Sequence, residues 1–276
     1  MIFVPELPEV ETIARGLNQR VRGDAIEAVW LGKHREPLKS PAAEIVAALT
    51  GTQISQVRRV GKHIVFDLEP GTFRDGKKSK QWIVHLGMTG RMLVCSPEEE
   101  IAKHTHAIAT LSSGRELRFV DARRFGRLSV TTQSFAGPGT EPLTVTAAEF
   151  ARLFRGRKTP IKAALLNQKL LHGVGNIYAD ESLFRAGIRP RRQAGRLTRA
   201  ELDRLHAALR EVLHEAIKLG GSSVSDYVDA AGREGFFQLQ HRVYLRTGKP
   251  CLVCKTPIKR LVLGGRGTHY CPKCQR

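Results

Sequence analysis

The chain has 276 residues, with 45 Lys and Arg against 26 Asp and Glu, a formal charge of +19 and a sequence pI near 10.3. Its 41% hydrophobic content at this length excludes a disordered polyelectrolyte and leaves room for one large domain or two smaller ones. So large a positive charge calls for a polyanion, and nucleic acid fits better than an anionic membrane because the cations are spread along the chain instead of lining one amphipathic helix. No run of 18 apolar residues occurs, and Glu6, Glu9 and Glu11 interrupt the stretch a signal peptide needs, so a soluble, cytoplasmic protein without membrane contact is expected.

In chain order, Val10, Ile13, Ala14, Leu17 and Val21 fall at helical spacing behind Pro8, which suits a first turn. Glu9 and Glu11 read there as complements of the helix dipole. Strand-like runs follow at Gln53–Val60, Lys62–Leu68, Trp82–Leu86, Ala107–Leu111 and Arg115–Val120, with the polar stretch Glu69–Lys80 among the turns between them. The first half is therefore expected to be a mostly antiparallel β-sandwich with a leading helix.

Two prolines and two glycines within Ser134–Thr144 mark a boundary, after which the period changes from two to 3.6. Thr146-x-x-Glu149 is a capping box for a helix to about Phe154, and Thr159-Pro160 opens one expected to reach His172. Asn176 is a candidate cap for a third helix ending at Gly187. Thr198-x-x-Glu201 opens a fourth, whose apolar stripe runs from Leu202 to Ile217 before Gly220-Gly221. Ser222–Gln238 is small, polar and Gly-containing, and reads as a loop.

Cys251-x-x-Cys254 and Cys271-x-x-Cys274 supply two chelating pairs of thiolates, the arrangement that tetrahedral Zn²⁺ requires. Four thiolates close the coordination shell, so one structural zinc ion holding a small hairpin is expected, with Lys255, Lys259, Arg260 and Arg266 available to phosphates. Cys95 reads as a small buried hydrophobe.

Three further segments carry chemistry. Glycines in His172-Gly-Val-Gly-Asn176 allow close backbone approach to an anion, although a plain helix–turn–helix junction has the same composition. Asp121-Ala-Arg-Arg-Phe-Gly126 sets two arginines beside an aromatic at a strand end, either a solvated face or a filler for a gap in a base stack. In His85-Leu-Gly-Met-Thr-Gly90, periodicity alone would put Met88 in the core.

Together with Pro5-Glu-Leu-Pro-Glu-Val-Glu-Thr12, Arg58-Arg-Val-Gly-Lys62 and Gly173-Val-Gly-Asn-Ile-Tyr178, these motifs resemble the formamidopyrimidine-DNA glycosylase family, in an order and spacing that cover nearly the whole chain. The resemblance implies an α+β multidomain fold: an N-terminal catalytic β-sandwich over residues 1–133, a linker over 134–145, a helix-two-turn-helix DNA-binding domain over 146–240 with a lesion loop at 222–238, and a zinc finger over 241–276. It also implies a monomeric, bifunctional DNA glycosylase and AP lyase of base excision repair, acting on double-stranded DNA that contains oxidised bases or abasic sites. Leu7, the Arg-Arg-Phe-Gly segment and the Asn-Ile-Tyr continuation favour the oxidised-purine branch over the endonuclease VIII-like pyrimidine branch.

By the same resemblance Pro5 is the amine nucleophile, Glu6 its acid/base neighbour, and Lys62 and Arg266 assist the eliminations. Met88, Arg123 and Phe125 enter the stack once the base is flipped out, while His104, Arg157, Lys162 and Asn176 meet the DNA backbone. Two features depart from the family pattern: the Glu69–Lys80 connection is longer and more basic than is usual, which touches no motif, and Met1-Ile-Phe-Val4 precedes Pro5, where a proline inside a chain has a tertiary amide nitrogen that cannot form an iminium. A bacterial GTG codon reads as Val internally and as Met at a start, so translation from Val4 and removal of that methionine are expected to leave Pro5 as a free secondary amine. If Pro5 stays blocked, a non-catalytic damaged-DNA-binding protein is the alternative.

Overall fold

A computed structural model describes residues 4–70, 79–222 and 235–276. Most of the Glu69–Lys80 connection and most of the proposed lesion loop therefore lie outside the described residues. The chain divides into two compact units, one of residues 1–136 and 220–235, the other of 137–219 and 236–276.

The first unit opens with α1 (Leu7–Val21), whose buried residues Val10, Ile13, Ala14, Leu17 and Val21 are those the periodicity selects. β1 (Ile26–Leu31) and α2 (Ala42–Leu49) follow, then β2 (Thr52–Val60), β3 (His63–Pro70), β4 (Lys80–His85), β5 (Arg91–Cys95), β6 (Thr105–Leu111), β7 (Glu116–Val120) and β8 (Arg127–Thr131). They form two four-stranded antiparallel sheets, β1-β6-β7-β5 and β2-β3-β4-β8. Ile64, Phe66, Trp82 and Val84 of one sheet share a single core with Ala107, Leu117 and Phe119 of the other and with α1, which makes the unit a sandwich. The sequence patterns predict no element at β1, α2, β5 or β8. These elements are five to eight residues long, and β8 buries only Leu128, too little for a period to show.

The second unit contains α3 (Ala147–Phe154), α4 (Ile161–Leu165), α5 (Asn176–Arg185) and α6 (Arg199–Lys218), followed by the hairpin β9 (Lys259–Leu263) and β10 (Arg266–Tyr270). Both capping boxes form: the Thr146 and Thr198 hydroxyls accept from the amides of Glu149 and Glu201, whose carboxylates accept in return. Two expectations are corrected. α4 stops at Leu165 instead of reaching His172, because Asn167 Oδ1 accepts from Lys169 N–H and Gln168 bonds to Leu166, Gly173 and Val174, offering the backbone partners outside the helix. Gly175, and not Asn176, caps α5; Asn176 is its first helical residue. Cys95 is buried, as expected.

Candidate active site and DNA interface

Pro5 is buried just ahead of α1, and Glu6, 5% exposed, is the helix N-cap. Glu9 stands in the first turn of α1, where an acid complements the helix dipole, and it does more than that. It is fully buried, with one carboxylate oxygen accepting from Glu6 N–H at 2.9 Å and the other from Ser222 N–H at 2.8 Å. Glu9 thus fixes the backbone of Glu6 and ties it to the backbone of Ser222. A Cβ on Gly221, at φ +83°, would come within 2.9 Å of the Glu9 side chain, so only glycine permits this approach. An acidic residue at the third helical position, where a capping box needs one, is visible in the sequence; its distant partner is not. Glu11 bridges Arg15 at 2.7 Å and Arg59 at 2.8 Å, anchoring α1 to β2.

Lys62 sits in the turn between β2 and β3, next to His63, which is paired in register with His85. Burial, and then the charges of His63, Lys62 and Arg127, push the His85 imidazole down to a pKa of about 4. His85 Nδ1 accepts from Gly87 N–H at 3.1 Å, so the neutral ring carries its proton on Nε2 and is a hydrogen-bond donor beside Lys62. No sequence pattern singles out His85 within its motif.

Met88, Arg123 and Phe125 lie together. The Arg123 guanidinium carbon is 4.9 Å from the Phe125 ring centre, and Arg123 Nη1 is 3.7 Å from Met88 Sδ. Phe125 is 49% exposed, a large apolar side chain left at the surface, and Met88 is half-buried instead of sitting in the core. His104 is exposed at the head of β6, and its carbonyl accepts from Asp121 N–H at 2.9 Å, which places it beside the same loop.

In the second unit Arg157 is exposed, its Nε donating to Leu153 O, while its own carbonyl accepts from Gly195 N–H. Lys162 corrects the expectation of a direct backbone contact. It is 0% exposed, its ammonium 2.7 Å from Asp180 Oδ1 and donating to Gly267 O and Thr268 Oγ1 at 2.9 Å, so it is committed inside the protein. Asn176 Nδ2 also donates to Gly267 O, at 3.1 Å, so both residues hold the start of β10, where Arg266 is exposed.

The Sγ atoms of Cys251, Cys254, Cys271 and Cys274 all lie within 4.8 Å of one another, with cross-pairs at 3.9 and 3.4 Å. Bonds of about 2.3 Å to a tetrahedral zinc ion imply S···S edges of about 3.8 Å, so the donor set fits Zn²⁺ and leaves no open position. The site is structural: Cys251 and Cys271 share a small core with Val243, Ile258 and Phe184 of α5.

Against known families, residues 4–128 match the formamidopyrimidine-DNA glycosylase N-terminal domain, 137–228 its H2TH domain, and 248–276 the zinc finger found in FPG and IleRS. A formamidopyrimidine-DNA glycosylase of Solibacter usitatus is 44% identical over 99% of this chain and 100% of its own length. The chain belongs to the formamidopyrimidine-DNA glycosylase family. Among solved members, the MutM (Fpg) protein of Thermus thermophilus superposes with a TM-score of 0.85 at 42% identity, covering 98% of both chains. A Lactococcus lactis Fpg variant in complex with a Fapy-dG containing DNA superposes at 0.88 with 32% identity, covering 99% of this chain and 100% of that one. Among the described residues no helix is long and apolar enough to cross a membrane.

Proposed function

We propose that the chain is a bifunctional DNA glycosylase and AP lyase that excises oxidised purines, 8-oxoguanine and formamidopyrimidines, from double-stranded DNA. The observation that carries this reading is the match of family and fold along the whole chain, with Pro5-Glu6 buried at the head of α1 and Met88, Arg123 and Phe125 gathered into one exposed cluster. The same reading places its activity in the cytoplasm, on the nucleoid.

With Pro5 as the mature N-terminus, its secondary amine attacks C1′ of the damaged nucleotide, and the base leaves as the C1′–N bond breaks. An α-amino group with a reference pKa of about 7.7–8.0 is about a tenth to a sixth unprotonated at pH 7, whereas a lysine at about 10.4 is less than a thousandth unprotonated and needs a large shift. The amine gives up its proton, Glu6 delivers a proton to the departing base or to O4′ of the sugar, and the C1′–O4′ bond breaks as the C1′=N bond forms, leaving the nitrogen bonded to C1′ as an iminium. That cation acidifies the C2′ proton; its removal expels the 3′ phosphate, and a second elimination expels the 5′ phosphate. Lys62 and Arg266 assist these steps. Met88, Arg123 and Phe125 fill the gap left in the stack, with Arg123 facing the orphaned cytosine. Asn176, His104 and Arg157 contact the backbone, and the 222–238 segment covers the flipped base. The match to the family's N-terminal domain begins at residue 4, one ahead of Pro5, which supports a mature chain starting at Pro5.

Borohydride trapping on an 8-oxoguanine·cytosine duplex, with N-terminal sequencing of the protein from its native host, tests the reading. A covalent adduct with a chain beginning at Pro5 is expected. A chain that kept Val4 and gave no adduct would make it a damage-binding protein, and faster release of oxidised pyrimidines would move it to the endonuclease VIII-like branch.

A further inference from the structure

We propose that Asp121 and Thr89 are positioning residues, a hydrogen-bonded clamp that locks the loop bearing Met88 and the loop bearing Arg123 and Phe125 into one wedge. The inference rests on reading those three side chains as the group that fills the opened stack. Asp121 is 0% exposed, and among the described residues no cation lies within ion-pair distance of it. Its charge is met instead by donors from the two loops. Oδ1 accepts from Thr89 Oγ1 at 2.5 Å and from Arg123 N–H at 3.2 Å, and Oδ2 accepts from Gly126 N–H at 2.7 Å. Thr89 Oγ1 accepts in turn from Arg123 N–H at 3.3 Å. A buried carboxylate without a counter-ion is costly unless its lone pairs are used, and here they are used on these loops.

One further feature joins the loops and another sorts the side chains they carry. A Cβ on Gly87 would stand 2.6 Å from Phe125 C and Gly126 N, so the two backbones are in contact at a position only glycine allows. Arg124 adopts φ +58°, left-handed for a residue with a Cβ, and its guanidinium is held away from its neighbours by Glu36 Oε1 at 2.9 Å and His34 Nδ1 at 3.1 Å. Arg123 and Phe125 are left together beside Met88, and the wedge is set before DNA arrives, so little ordering entropy remains for the moment of insertion.

Thr89→Val removes the hydroxyl at constant shape, Thr89→Ser restores it, and Asp121→Asn replaces one of the two acceptor oxygens, which face Thr89 and Arg123 on one side and Gly126 N–H on the other, by an NH2 donor. Thr89→Val is expected to slow excision from 8-oxoguanine·cytosine about tenfold and to narrow the preference among opposite bases. Strand cleavage at an abasic site in single-stranded DNA, where no stack opens, should stay within about twofold, and Thr89→Ser should recover wild-type excision. In Asp121→Asn, without DNA, the amides of Arg123 and Gly126 are expected to exchange at least tenfold faster while those of β6 and β7 keep their protection. Because this exchange measurement uses no substrate, it judges the clamp even if the glycosylase reading fell. Wild-type exchange at Arg123 and Gly126, or wild-type opposite-base preference in Thr89→Val, would overturn the proposal.

Discussion

In the first unit the loops that carry Met88, Arg123 and Phe125 stand on an apolar sandwich in which Phe66 stacks on Trp82 with ring centres 4.9 Å apart. In the second, an apolar helical core that includes Phe150, Phe154, Ile177 and Leu209 is joined at the hairpin by buried ions. Lys162 and Asp180 are both 0% exposed, and Asp180 Oδ2 accepts from His269 N–H at 2.8 Å. Glu181, also buried, accepts from the amides of Arg242, Val243 and Tyr244 at 2.9, 2.9 and 2.8 Å, although burial raises its pKa. The difference follows from size. A sandwich of two sheets encloses enough apolar surface to support itself, whereas a two-stranded hairpin does not and needs metal and charge networks to stay ordered. One consequence is that the two units should fail under different insults.

The largest effect is expected from removing zinc. Cys254→Ser, or chelation, should abolish a metal-linked folding contribution on the order of 10 kcal/mol at the hairpin and weaken DNA binding at least tenfold. Both tryptophans, Trp30 and Trp82, lie in the first unit, so their emission reports that unit alone. It should stay unchanged while hairpin amides lose exchange protection. A tryptophan shift coincident with zinc release would show that the units unfold together, and full DNA affinity without metal would remove the hairpin from the interface.

Next in size is the buried pair. Lys162→Ala leaves Asp180 without its ammonium and is expected to cost about 3–5 kcal/mol in denaturant unfolding of the second unit, whereas Lys162→Met combined with Asp180→Asn, which is neutral and keeps an acceptor for His269 N–H, should recover part of that. A loss below about 1 kcal/mol for Lys162→Ala would mean that the ammonium is not committed to the interior.

The smallest effect belongs to the first unit and to acid. His85 has a folded pKa of about 4, below its unfolded value of about 6.5, so the unfolded chain binds the proton first. Its contribution is complete above about pH 6.5 and is lost as pH falls toward 4, by about 3 kcal/mol in all. Tryptophan-monitored unfolding at pH 7 and pH 4.5 should show this slope, and His85→Gln should flatten it. An unchanged slope in that variant would assign the acid sensitivity elsewhere.

Local patterns announced what local physics controls. The stripe of α1, both Thr-x-x-Glu capping boxes and the paired Cys-x-x-Cys motifs are each complete within a few residues, and each formed where the pattern predicts it. The motifs at Met88 and Arg123–Phe125 are legible through family resemblance, whereas periodicity alone puts Met88 in the core. The short elements β1, α2, β5 and β8 are not legible, since their formation depends on neighbours supplied from elsewhere in the chain.

The sequence by itself determined the metal site, the starts of α1, α3 and α6, the basic character and the residue types available for chemistry, because spacing, capping and charge are properties of contiguous residues. Tertiary structure alone decided what three charged residues do. Glu9 became the tie between Glu6 and Ser222, Asp121 the joint of two loops, and Lys162 a buried strut in place of a DNA contact. The deciding partners are remote in the chain: Thr89 is 32 residues from Asp121, Gly267 is 105 from Lys162, and Ser222 is 213 from Glu9. A charge reads as a solvated surface group until folding brings such a partner to it and removes the water.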